Sequence, residues 1–181
     1  MLKGISLAIA LSFIPVINYN HSQVIATTTT GYQIAQNSQQ STVLTEERLG
    51  IGGIKLSMRE IQVRKILGKP VTVENGNMPA IGRVRTLKYP GITVDLDEGS
   101  TPGKFSVYQI KVTSNKYATI DGVKVGDGQS KVLRTYGKAE IYQEDNLSRV
   151  SYSIENPSPG GLNFTFKNGK VVEILCFYLM N

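Results

Sequence analysis

Few side chains in this sequence are grouped in a way that does chemistry, and the best grouped are carboxylates. Asp95 and Asp97 alternate with Val94 and Leu96, so both point to one face of a strand, and Glu98 follows at once. Paired carboxylates serve acid–base cleavage of glycosides, and clustered carboxylate oxygens serve calcium. Calcium needs more oxygen ligands at fixed spacing than these three residues supply. The next residues, Glu98-Gly99-Ser100-Thr101-Pro102-Gly103, read as a hairpin loop. The cluster therefore reads as solvated carboxylates beside a turn, with no metal and no cofactor.

The remaining reactive groups narrow the chemistry further. The chain holds one His, one Cys and no Trp. His21 falls within a segment that reads as an export signal, residues 1–26. Lys3 is its only charge, and the apolar stretch from Gly4 to Ile17 is too short to span a membrane. Val24-Ile25-Ala26 suits signal peptidase, with cleavage expected after Ala26. The exported remainder would contain no histidine, which removes Ser-His-Asp and Cys-His catalysis, histidine metal ligation and histidine pH switching. Cys176 lies in the apolar run Ile174-Leu175-Cys176-Phe177-Tyr178 and reads as a small buried hydrophobe. No cysteine stands near the cleavage point. The expectation is a periplasmic or extracellular protein that is neither an enzyme nor lipid-anchored.

Charge is the other chemical asset, and it is unevenly placed. Loss of the signal leaves 19 basic and 14 acidic side chains. Between Lys55 and Lys88 stand Lys55, Arg59, Arg64, Lys65, Lys69, Arg83, Arg85 and Lys88 against only Glu60 and Glu74. The candidate binding residues are Arg59, Arg64, Lys65, Arg83 and Arg85. Such a patch attracts an acidic protein, an anionic cell-wall polymer or an anionic lipid surface. Nucleic acid is not expected as a partner, because the chain is exported and lacks the spacing of RNP, helix-turn-helix or zinc-finger motifs. The expected function is docking to another cell-envelope protein. The alternative is binding of wall polymer or membrane through the basic 55–88 segment.

The elements that position these residues follow from periodicity and punctuation. Residues 27–49 read as a polar flexible linker, rich in Thr, Ser, Gln and Asn. Residues 50–181 read as one globular domain made of two repeats, about 50–118 and 119–181. Gly53-Ile54-Lys55-Leu56 aligns with Gly122-Val123-Lys124-Val125, and Gly68-Lys69 with Gly137-Lys138. Each repeat opens with a short helix. In the first, Ser57 and Glu60 form a capping box, Val63, Ile66 and Leu67 make the buried stripe, and Gly68 stops the helix. In the second, Asp127 caps, Val132, Leu133 and Tyr136 face the core, and Gly137 ends the helix.

Strands follow each helix. Ile92, Val94 and Leu96 alternate with polar residues, as do Tyr108, Ile110 and Val112. Asn168-Gly169 separates two apolar runs and predicts a tight hairpin, with Asn75-Gly76 a weaker second instance. Tyr 9 outnumbers Phe 5, and Tyr89, Tyr108, Tyr136 and Tyr152 are expected in the core with their hydroxyls at its rim. The predicted fold class is α+β: a tandem repeat of short helix plus antiparallel β-hairpin or meander, helices on one face of the sheet.

A short helix ending in Ile66-Leu67-Gly68-Lys69-Pro70, followed by an aromatic strand and a hairpin, resembles the small bacterial outer-membrane assembly lipoproteins of the SmpA/OmlA (BamE) type. Thr135-Tyr136-Gly137-Lys138-Ala139 matches less well. The tandem arrangement resembles that of the β-lactamase-inhibitor protein. The resemblance spans roughly residues 50–181 and implies a protein-binding scaffold without catalysis. It carries no site residues across, because the matched positions are caps and core. The lipoproteins' acylated cysteine and the inhibitor's disulfides have no counterpart here.

Overall fold

The structure, a computed structural model, describes residues 43–79 and 81–179. The expected signal and most of the expected linker lie outside the described residues. A single 3-10 turn, Glu46–Arg48, leads into a two-stranded antiparallel sheet of β1 (Gly50–Ile51) and β2 (Ile54–Lys55). Then follow α1 (Glu60–Leu67), β3 (Thr72–Met78), β4 (Gly82–Tyr89), β5 (Ile92–Asp97) and β6 (Ser106–Val112). The chain continues through α2 (Gln129–Tyr136), β7 (Ile141–Glu144), β8 (Leu147–Ile154), β9 (Gly160–Lys167) and β10 (Lys170–Tyr178). The eight strands β3–β10 form one antiparallel sheet in the order β3-β4-β5-β6-β10-β9-β8-β7.

This corrects the expected α+β tandem repeat of helix plus hairpin. The described residues are mostly β, with two α-helices of eight residues and one continuous eight-stranded sheet. Four strands follow each helix. The physical reason lies at the sheet edges. All residues of β3 and β7 are exposed, so neither strand carries the alternation that marks a half-buried strand in sequence. Asn75-Gly76 is not a turn but the middle of β3, where Gly76 pairs with Val84.

One face of the sheet carries the core. Leu87, Val94, Ile110, Cys176 and Leu162 are aligned across β4, β5, β6, β10 and β9 by the pairing register, and all are buried. On the same face Tyr136 of α2 packs on Tyr152 and Phe164, with ring centroids 5.2 and 5.3 Å away. β5 keeps the alternation read from sequence, with Ile92, Val94 and Leu96 buried. β6 does not. A bulge pairs Asp95 with Gln109 but Leu96 with Val107, leaving Tyr108 as the extra residue. Val107 therefore takes the buried place, and Tyr108 turns toward Asp95 and Asp97 on the other face. The Asn168-Gly169 turn forms as expected, with φ of 51° and 70° at the two positions.

Several local expectations change. Helix α1 starts after Arg59, whose backbone N–H donates to the Gln62 Oε1 at 2.9 Å, so Ser57 is not its cap. Val63 is buried, but Ile66 is 47% exposed and leaves the stripe. Helix α2 is capped by Gly128. Asp127 instead accepts from the Lys124 backbone N–H at 2.8 Å and from the Lys131 Nζ at 2.7 Å. Leu44 and Leu49, within the expected linker, are buried in the core. Arg48 clasps this stretch to the later part of the domain through Asp121 (3.1 Å) and the face of Tyr136, 5.0 Å from the ring centroid.

Candidate binding groove beside the first helix

Backbone bonds fix α1 against the start of β6. The Glu60 N–H donates to the Phe105 carbonyl at 3.1 Å, and Arg59 forms an isolated antiparallel bridge with Ser106. Between helix and strand lies a groove of about 590 Å³ lined by Arg59, Glu60, Ile61, Arg64 and Gly103-Lys104-Phe105. Its apolar surface comes chiefly from Ile61, which is 77% exposed, with Phe105 buried at the base. The wall opposite α1 is held in shape by Glu98, which accepts from the Gly103 N–H at 2.7 Å and from Arg83 at 2.8 Å. Gly103 sits at φ 75°, where a side chain would be strained.

Charge around the groove is arranged in two tiers. Glu60 accepts from Arg64 at 2.8 Å and from Arg85 at 2.5 Å, so one carboxylate serves two guanidinium groups. The Arg85 guanidinium also lies 4.0 Å from the Phe105 ring centroid, and that of Arg83 lies 5.8 Å away. These contacts fix the inner arginines. Arg59, Lys65, Lys69 and Lys104 are exposed and make no ion pair among the described residues. Lys88 is paired with Glu74.

The five basic residues singled out from sequence thus divide. Arg59 and Arg64 line the groove, Arg83 and Arg85 support it through Phe105, and Lys65 stands on the outer face of α1. Ile61, Lys104 and Phe105 escaped the sequence reading. Lys104 and Phe105 lie beyond the basic run, and only the return of the chain into β6 brings them beside α1.

The other chemical candidates are occupied. Asp95 accepts from the Thr86 hydroxyl at 2.5 Å and from the Gln109 side-chain amide at 2.9 Å, using both carboxylate oxygens. Burial, and then the charges of Asp95 and Asp97, raise the pKa of Tyr108. Among the described residues no group of three or more His, Cys, Asp or Glu side chains is placed to hold a metal ion. Cys176 is fully buried, and burial pushes its thiol pKa up. Tyr89 and Tyr136 are core residues with bonded hydroxyls, and Tyr152 packs against the core. Tyr108 is the exception, on the opposite face.

Among the described residues no helix is long and apolar enough to cross a membrane. No family model and no curated protein matches the chain. A solved structure that overlaps it is a crystal structure of an extracellular protein containing a SCP domain from Bacillus anthracis str. Ames. The two are 9% identical, with a TM-score of 0.43, over 67% of this chain and 43% of that one. The chain therefore spans less than half the length of that protein.

Proposed function

We propose that this is an exported, non-catalytic docking module that binds another protein of the cell envelope through the basic face around α1. The observation that carries the reading is the exposed cations that make no ion pair among the described residues, Arg59 and Lys104 lining the groove with exposed Ile61, and Lys65 one turn along α1 from Ile61. Exposed aliphatic side chains among free cations suit a partner surface that is both apolar and acidic. The amino-terminal sequence supports export to the periplasm or beyond, and the lack of a cysteine near Ala26 supports a module without a lipid anchor. The engaged state of Asp95 and the burial of Cys176 favour binding over catalysis. The Ile66–Pro70 motif, with its resemblance to the SmpA/OmlA type, favours the same reading.

Affinity capture with the full chain as bait, from an envelope extract, tests this proposal. A stoichiometric protein that survives a wash in moderate salt is expected, because a packed interface resists screening better than loose charge pairing does. Absence of any saturable protein partner would end the reading.

A second reading rests on Val71, 76% exposed beside Lys69, which extends the apolar and basic surface past the helix. Such a surface fits an anionic cell-wall polymer or bilayer. Recovery of wall polymer or anionic vesicles alone, lost as salt rises, would favour it over the first.

A further inference from the structure

Resting on the docking reading, we infer that the groove between α1 and Gly103-Lys104-Phe105 takes a short acidic peptide segment that seats one apolar side chain against exposed Ile61, above the buried Phe105. Its volume of about 590 Å³ lies within the range of about 300–1,000 Å³ typical of sites that enclose a small ligand. That is room for a short stretch of peptide. A free anion would engage the rim and leave the apolar floor unused. A bilayer surface would lie across the rim and leave the concavity unfilled. An extended peptide with carboxylates flanking an aliphatic residue satisfies both parts.

Charge complementarity gives the flanking positions. Arg64 is bound to Glu60, and Arg85 to Glu60 and to Asn75, so the cations left for a ligand at the groove are Arg59 on one lip and Lys104 on the other. The groove is also prearranged. The bonds from Glu60 to the Phe105 carbonyl, from Gly103 to Glu98 and from Arg83 to Glu98 are made without a ligand, so little ordering cost remains for binding.

Calorimetric titration of the full chain with two peptides, Asp-Glu-Leu-Asp-Glu and Asp-Glu-Ser-Asp-Glu, reads both features. The leucine peptide is expected to bind about tenfold more tightly, the return on burying one aliphatic side chain. Ile61→Ser should reduce that preference, and Lys104→Glu should weaken both peptides. Both positions are exposed, so the variants keep the fold. Equal affinity for the two peptides, no binding of either, or binding of phosphatidylglycerol vesicles alone would overturn the inference. Repeating the envelope capture with Lys104→Glu separates this failure from that of the docking reading. A partner held equally by wild type and variant overturns only the groove assignment, whereas no partner with either overturns the docking module itself.

Discussion

The Tyr152 hydroxyl donates to the Gly137 carbonyl at 2.8 Å, tying the end of α2 to strand β8. Tyr89 reaches the Gly68 carbonyl at the end of α1 in the same way, at 3.3 Å. Carbonyls at a helix C-terminus lack partners within the helix, so each tyrosine satisfies a group that would otherwise need water. Tyr152→Phe should therefore cost about 0.5–1.5 kcal/mol, the usual net worth of one hydrogen bond. The longer bond makes Tyr89→Phe the milder change. Urea denaturation of the two variants checks the order, and an unchanged midpoint for Tyr152→Phe would show that the bond contributes nothing.

Stability should fall at alkaline pH. Burial pushes Tyr152 up to about 12. Burial, followed by the bond to Glu46, pushes Tyr178 up to about 12 as well. In each case the fold favours the neutral phenol over the phenolate. The contribution is whole below the unfolded value of 10.0 and is lost as pH rises through the folded value. Denaturation midpoints followed up to about pH 12 should decline over that window, in step with tyrosinate absorbance. A flat profile there would contradict the burial of these phenols.

Gly161→Ala should be disruptive although its backbone is extended and tolerates any residue. A Cβ at Gly161 would stand 2.2 Å from the Tyr152 carbonyl oxygen, a backbone atom that cannot swing aside. Forcing the strands apart should cost about 1–3 kcal/mol or more. Gly82→Ala makes a useful contrast. Its Cβ meets nothing within 4 Å, but its φ of 90° strains any side chain, so its cost reports backbone conformation alone. Thermal unfolding of both variants compares the two effects.

Cys176 should be silent toward thiol reagents in the native protein. Its side chain is fully buried, and burial keeps it as the thiol rather than the reactive thiolate. Labelling is expected only in denaturant, with a rate in native buffer set by unfolding. Rapid labelling of the native chain would place Cys176 outside the core.

The sequence made some of this legible and hid the rest for identifiable reasons. Strand β5 and the turn at Asn168-Gly169 were plain, because alternating burial and positive φ each impose a local residue choice. The edge strands β3 and β7 were hidden, because every residue of both is exposed and no alternation of apolar and polar residues is imposed on them. Alternation with Ile110 and Val112 points Tyr108 to the core, but the bulge beside Asp95 moves that alternation by one residue, a shift no single strand announces. Helical spacing puts Ile66 in a stripe with Val63, but the eight-residue helix α1 packs chiefly through Val63 and leaves Ile66 at its margin. In the groove, Arg59, Arg64, Arg83 and Arg85 stood out as a basic run. Lys104 and Phe105 did not, since their proximity to α1 is created by the meander β3–β6.

Strand β10 lies between β6 and β9 at the middle of the sheet, yet it follows all the other strands in chain order. The pairing of Ile174 with Val112 and of Cys176 with Ile110 therefore closes a long loop. Until it forms, β6 presents an open edge flanked by buried-type side chains. The same edge offers identical hydrogen-bonding groups to the corresponding strand of another molecule. Exchange of α2 with β7–β10 between two copies is thus the misassembly that preserves every strand pairing of the large sheet.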